Sequence, residues 1–211
     1  MKKHRVLNTR LLTESAYVLR FERNELDFMP GQHIYVGLPG DEDRPYSVYN
    51  GKNDPYIEVL IKEIDRGNVS KKLKRLENEA FVSVDEAQGH FAVTERVGDK
   101  LVFIATGTGI APFHSFLKTY PGLDYTMIHG VAYGKEAYDR SDYEISRYIL
   151  CTSRDHEGDF HGRVTEYLKK IDVAQDAYFF LCGNSSMIDE AYDILMEKGI
   201  TRERIRTEIY F

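Results

Sequence analysis

The chain is poor in the features that mark several common protein classes. Only two of its 211 residues are cysteines, Cys151 and Cys182, each inside or just after a hydrophobic stretch that reads as a buried strand. A disulfide framework is not expected from such a pair, and an iron–sulfur cluster held by four cysteine thiolates is excluded. No apolar run approaches the ~20 residues that a membrane span needs. The start, MKKHRVLNT, carries no apolar segment after its basic residues, so a soluble, cytoplasmic protein is expected. Positive charge is also in deficit, with 28 Lys and Arg against 34 Asp and Glu and a net charge of −6. That balance argues against a general nucleic-acid binder, which needs cationic excess over a surface, while leaving room for local basic patches. No internal repeat or low-complexity segment is present.

With 42% hydrophobic and 29% charged residues, the chain has enough apolar material for one large or two small domains. Its first half has short alternating or apolar runs at 17–22, 33–38, 56–64 and 80–87, separated by turn chemistry such as Met29-Pro30-Gly31. Such runs predict a small antiparallel barrel or sandwich. One helix interrupts them over 69–77, with Val69, Leu73 and Leu76 on one face and Lys71, Lys72, Lys74 and Arg75 elsewhere. The second half changes period. Strand-like runs at 100–106, 125–131, 147–152 and 177–183 alternate with helical stretches at 112–120, 163–170 and 186–198, which predicts βαβ units and a parallel sheet. The change falls near 94–98, giving domains 1–96 and 97–211.

Three segments carry the candidate chemistry. In ATGTGIAPF a hydrophobic strand runs into Gly107, Thr108 and Gly109 before Pro112, a residue suited to the first helical turn. Backbone N–H groups at such a turn suit a pyrophosphate, although Pro112 stands where the usual dinucleotide fingerprint has its third glycine. In FLCGNSSM a second strand ends at Cys182 and Gly183 and leads into a helix carrying Met187, and ligands of open parallel sheets gather at such strand ends. In RPYSVYN, Arg44 offers a planar charged fork for a diphosphate, Pro45 follows it, Tyr46 offers a stacking face, and Ser47 points to the other side unless the strand bends. Downstream, Gly67, Asn68, Val69 and Ser70 open a helix whose first N–H groups suit phosphate, with Ser70 equally readable as a cap.

These motifs, in this order, together with VDEAQGHFAV at 84–93, TSRDHEGDFHGRV at 152–164 and the terminal EIYF, resemble the ferredoxin–NADP⁺ reductase family, in particular its short bacterial ferredoxin/flavodoxin reductases. The resemblance implies an N-terminal FAD-binding β-barrel, a C-terminal NADP-binding α/β domain, and flavin between them. It implies that Arg44 binds the FAD diphosphate, Tyr46 stacks on the flavin ring, Ser47 hydrogen-bonds the reactive ring nitrogen, and the 67–70 turn holds phosphate. Thr108 and Cys182 would flank the nicotinamide, Glu208 would be the active-site carboxylate, and Tyr210 or Phe211 the aromatic lid. Ser153, Arg154 and Arg163 suit the 2′-phosphate of NADP(H), since a bare ribose favours an acidic residue. The implied activity is electron transfer between NADP(H) and a separate one-electron carrier, a ferredoxin or flavodoxin, with the cationic helix at 71–75 as a docking patch for that acidic partner. The alternatives are an NAD(P)H–flavin or NADH–acceptor reductase of the same superfamily, a reductase subunit lacking a fused iron–sulfur domain, and a flavin-binding module without turnover.

Overall fold

The computed structural model describes residues 1–64, 68–94 and 98–210. Two compact units emerge, Met1–Val93 with Ala111–Pro121, and Thr94–Ile110 with Gly122–Phe211.

The first unit is built on a six-stranded antiparallel sheet of β1 (Lys2–Leu11), β2 (Ala16–Glu22), β3 (His33–Gly37), β4 (Asp43–Ser47), β5 (Tyr56–Lys62) and β6 (Phe81–Val84), in the order β4-β3-β6-β1-β2-β5. An antiparallel bridge between Val48 and Val59, with the Tyr49 N–H donating to the Glu58 carbonyl at 2.8 Å, joins the two edges and closes the sheet as a barrel. Closure removes edges that would otherwise expose unpaired backbone. Val6, Leu19, Phe21, Ile34, Val36 and Val59, all fully buried, are among the residues that fill the core. Burying an aliphatic side chain of this size contributes about 1.5–3 kcal/mol.

Helix α1 (Asn68–Lys74) buries Val69 and Leu73, one turn apart, against this core. It stops short of the expected Glu77: the next N–H groups, of Arg75 and Leu76, donate to carbonyls three residues back, the tighter bonding that ends a helix.

The second unit holds six parallel strands: β7 (Lys100–Thr106), β8 (Asp124–Val131), β9 (Tyr148–Thr152), β10 (Phe160–His161), β11 (Tyr178–Asn184) and β12 (Ile205–Tyr210), in the order β10-β9-β8-β7-β11-β12. Ile104, Ile128, Phe179 and Leu181 pack with Val164 and Leu168 of α3 (Val164–Lys170) and with Met187, Ile188 and Leu195 of α4 (Ser185–Glu197). Alternation along the strands sends Phe103, Ala105, Phe180 and Cys182 to the opposite face, where Phe103 and Phe180 meet edge to face at 5.6 Å.

One helix departs from the expected division at 96/97, a boundary that itself lies outside the described residues. Helix α2 (Ala111–Thr119) follows β7 in the chain, as the βαβ pattern predicts, but it belongs to the first compact unit. Its polar residues explain why. His114 stacks on Tyr49 with ring centres 3.9 Å apart and donates from Nδ1 to the Tyr49 carbonyl at 2.7 Å. The Ser115 hydroxyl donates to the Asn50 carbonyl at 2.7 Å, and Thr119 Oγ1 accepts from the Lys52 N–H at 2.9 Å. All three grip the segment that follows β4. Replacing His114 by Leu leaves a buried carbonyl without its donor, so a loss of about 1–3 kcal/mol in denaturant unfolding is expected; an unchanged midpoint would mean the stacking and hydrogen bond contribute nothing net.

Candidate functional site

Within the first unit, β4 presents the RPYS residues along the edge beside β3, Arg44 opposite Val36, Pro45 opposite Tyr35, Tyr46 opposite Ile34 and Ser47 opposite His33. Tyr46 packs against the barrel core, and burial pushes its hydroxyl up to about 12, with Arg44 pulling the other way. Ser47 is 2% exposed. Arg44 and Pro45 are exposed, and the Arg44 guanidinium donates to Glu42 Oε2 at 3.0 Å and to the Asp43 carbonyl at 2.6 Å. Such a surface ion pair is weak enough to exchange for a phosphate.

At the start of α1, Asn68 is exposed while Val69 and Ser70 are buried; Gly67 lies outside the described residues. The Ser70 hydroxyl is buried without a hydrogen-bond partner among the described residues, which suits an oxygen of a bound ligand, since a buried hydroxyl left alone is costly. Its carbonyl accepts a 2.6 Å hydrogen bond from Tyr17 on β2, a fully buried residue that sequence reasoning did not single out. Burial, followed by the influence of Tyr46 and Glu63, raises the Tyr17 hydroxyl well above its ordinary range.

In the second unit the parallel register aligns one row of residues across four strands: His129 of β8 beside Ala105 of β7, Ala105 beside Cys182 of β11, and Cys182 beside Glu208 of β12. The expected trio Cys182, Glu208 and Tyr210 is thereby brought together. Burial, then the nearby Glu208 carboxylate, pushes the Cys182 thiol well up, while a hydrogen bond with Tyr210 acts in the opposite sense. The thiol is thus neutral at physiological pH and suited to contact rather than attack. Phe211 lies outside the described residues.

Between β7 and α2 a 3-10 turn spans Gly107–Ile110, an element that the glycine pattern did not foretell. Gly109 packs so tightly on the end of β11 that an added Cβ would lie 2.4 Å from the Cys182 carbonyl oxygen and 2.8 Å from Gly183 Cα. At Gly107, which has φ +54°, a Cβ would meet nothing within 4 Å. Gly183 faces the Thr106 hydroxyl, and that oxygen accepts from the Asn184 backbone N–H at 3.4 Å and the Asn184 side-chain amide at 3.2 Å. Asn184 caps α4 by accepting from the Met187 N–H at 2.9 Å; Met187 itself lies in the core.

At the C-terminal end of β9, Ser153 and Arg154 extend the pairing with β8, their N–H groups donating to Val131 and Ala132 carbonyls at 3.1 and 2.9 Å. Their side chains are exposed, as is that of Arg163. The neighbouring Asp155 carboxylate accepts from the Gly134 and Glu157 N–H groups at 2.7 and 3.2 Å. On α1, the expected cationic patch is partly neutralised: Lys72 pairs with Asp41, and Lys74 with Glu63 at 3.2 Å.

Comparison with known proteins bears on the family and the fold. Residues 5–93 match the family described as the oxidoreductase FAD-binding domain. The chain is 27% identical to the toluate 1,2-dioxygenase electron transfer component of Pseudomonas putida over 92% of its own length, spanning 63% of that relative. It is 25% identical to the flavodoxin/ferredoxin–NADP reductase of Buchnera aphidicola, covering 95% of this chain and 92% of that one. A ferredoxin–NADP⁺ reductase from Neisseria gonorrhoeae, solved with FAD and NADP bound, superimposes with a TM-score of 0.89 at 24% identity over 100% of this chain and 98% of its own, a likeness of fold.

Two outcomes follow from the packing. Gly109→Ala forces backbone apart and is expected to cost about 3 kcal/mol, the upper end of overpacking, whereas Gly107→Ala meets only its left-handed backbone, about 1 kcal/mol; equal losses in denaturant unfolding would refute the close approach at Gly109. His129 is fully buried, and burial lowers its pKa from 6.5 to about 4, the Gly107 carbonyl and then Glu136 opposing. The unfolded chain therefore takes up a proton there that the folded chain refuses, so stability is whole above pH 6.5 and is lost as pH falls toward 4. Urea midpoints at pH 7 and 4.5 should differ less in His129→Gln than in the parent; an identical difference would place the acid sensitivity elsewhere.

Proposed function

We propose that the chain is a member of the ferredoxin–NADP⁺ reductase family of flavin-dependent oxidoreductases, a reading supported by the FAD-binding domain match, the reductase relatives and the fold, and that it moves electrons between NADP(H) and a one-electron carrier of the ferredoxin or flavodoxin kind through FAD. The chemistry such a flavin supplies is the conversion of a two-electron hydride donor into single-electron deliveries. In this reading the first unit holds the flavin. Arg44 exchanges its Glu42 pair for the diphosphate, Pro45 shapes the strand behind it, Tyr46 offers its ring for stacking, Ser47 hydrogen-bonds the reactive ring nitrogen, and the 67–70 turn with the unpartnered Ser70 hydroxyl takes a phosphate oxygen. In the second unit Gly107, Thr108 and Gly109 receive the nicotinamide nucleotide's pyrophosphate, with Gly183 and Met187 shaping the adjoining strand end. Cys182 and Glu208 position the reacting ring, and Tyr210 or Phe211 is the movable aromatic cover.

The observation that carries the reading is the junction of Cys182, Glu208 and Tyr210 at the ends of β11 and β12, beside the turn that Gly109 seats on Cys182. Cys182 lies more than 20 residues before Glu208 and Tyr210 in sequence, yet it meets them at the strand ends, where an open parallel sheet binds ligands. NADP(H) is favoured over NAD(H) because Arg154 and Arg163 are exposed at that end of the sheet while the adjacent acidic side chain, Asp155, is committed to backbone N–H groups of its own loop. A second reading, a reductase serving an oxygenase, draws support from the likeness to the toluate dioxygenase component and from the internal pairing of Lys72 and Lys74, which weakens the cationic patch as a docking surface for an acidic carrier.

The test is anaerobic reduction of the purified yellow protein by NADPH and by NADH. FAD should be released on denaturation, and the double substitution Arg154→Ala, Arg163→Ala should raise the KM for NADPH at least about tenfold, the worth of one charge-assisted hydrogen bond, with little change for NADH. Equal effects on both nucleotides would remove the NADP(H) assignment, and FMN in place of FAD would remove the diphosphate assignment.

A further inference from the structure

We propose that His129 is the positioning residue of the nucleotide-binding turn, fixing through the Gly107 carbonyl the direction in which that turn presents its backbone N–H groups to a pyrophosphate. This role rests on the reading of 107–109 as a nucleotide site and adds to it a residue outside every motif that pointed there.

The imidazole sits between two partners with fixed demands. Its Nε2 lies 2.9 Å from the Gly107 carbonyl oxygen and its Nδ1 2.6 Å from the Tyr148 hydroxyl. A carbonyl only accepts, so Nε2 carries the proton; in the neutral ring Nδ1 then accepts, and Tyr148 donates to it. Burial holds the ring neutral, so one tautomer satisfies all the groups. Tyr148 is itself buried, 3% exposed, on β9, and Tyr138 and Tyr143 pack around the pair.

The consequence for the turn comes from peptide geometry. The described peptide bonds are all trans, and in a trans peptide the C=O and the N–H of the following residue point in opposite directions within one plane. With the Gly107 C=O aimed at His129, the Thr108 N–H is aimed away from it. Gly107 sits at φ +54° in open space, and a glycine there gives little intrinsic resistance to rotation of its peptide. Released from His129, the same peptide could turn its carbonyl outward and offer an incoming phosphate a negative dipole instead of a donor. The cross-strand row adds a second link: His129 lies beside Ala105, whose other neighbour is Cys182, so the histidine is anchored in the sheet layer that carries the proposed reacting groups.

A merely structural histidine would affect all ligands alike, so the test compares two that differ in the pyrophosphate. The full chain with its FAD is titrated calorimetrically with NADP⁺ and with adenosine 2′-monophosphate, which reaches only the Ser153, Arg154 and Arg163 clamp. His129→Leu should weaken NADP⁺ about tenfold, one charge-assisted hydrogen bond, and adenosine 2′-monophosphate less than about twofold; His129→Gln, which keeps an N–H within reach of Gly107, should recover most of the loss. In turnover, the KM for NADPH should rise by a larger factor than kcat falls. Tyr148→Phe, which frees the tautomer without touching the ring, should weaken NADP⁺ by a smaller factor with the same ligand selectivity, and it decides the matter if His129→Leu does not fold. Unchanged NADP⁺ affinity in the variants, or equal weakening of both ligands, would overturn the role while leaving the proposed function intact. Parent protein that binds neither NADP⁺ nor NAD⁺ would overturn the proposed function first, and this role with it.

Discussion

The parallel register of β7, β8, β11 and β12 is the constraint on which the second unit depends. In a parallel ladder each residue has a fixed neighbour on either side, so one setting of the strands places His129, Ala105, Cys182 and Glu208 in a single row. A slip of one residue would send that row to the face covered by α3 and α4. The small Ala105 and the glycines at 109 and 183 are consistent with this demand. They let strand ends and turn approach closely enough for Thr106 to accept from Asn184 and for the 3-10 turn to rest on Cys182.

The first unit relies on closure. The Val48–Val59 bridge joins the sheet's edges immediately after the RPYS residues, so Tyr46 and Ser47 are held on a strand whose following residues are tied twice, by β5 and by the polar side of α2. Rigid strands position groups more accurately than loops do. Ser70 Oγ, buried with no hydrogen-bond partner among the described residues, is at the start of α1, where Tyr17 fixes the backbone. A satisfied backbone beside an unpartnered hydroxyl suits a prearranged binding site.

β1 and β12 escaped the pattern of apolar residues for different reasons. β1, KKHRVLNTRL, is central, pairing with both β2 and β6, yet only His4 and Val6 are fully buried along it and a register shift between Val6 and Asn8 breaks its alternation. β12 reads as a polar tail because it is an edge strand, with Ile205 its one buried residue. In both, backbone pairing rather than side-chain burial makes the strand. The cationic run at 71–75 was visible as charge, but whether those charges face outward depended on Asp41 and Glu63, 31 and 11 residues away from the lysines they meet.

What the sequence by itself determined is local. The strands that read as apolar or alternating runs, the glycine turn at 107–109 and the RPYS edge strand are all set by residues within a few positions of one another, where propensity, periodicity and steric freedom act directly. Only the tertiary structure decided which of these meet. It assigned α2 to the first unit, because His114, Ser115 and Thr119 find partners at 49–52; it joined Cys182 to Glu208 and Tyr210; and it placed His129 beneath Gly107. Those pairings span from 22 to more than 60 residues of chain, and a single sequence carries no local signal for a contact whose two halves are specified independently.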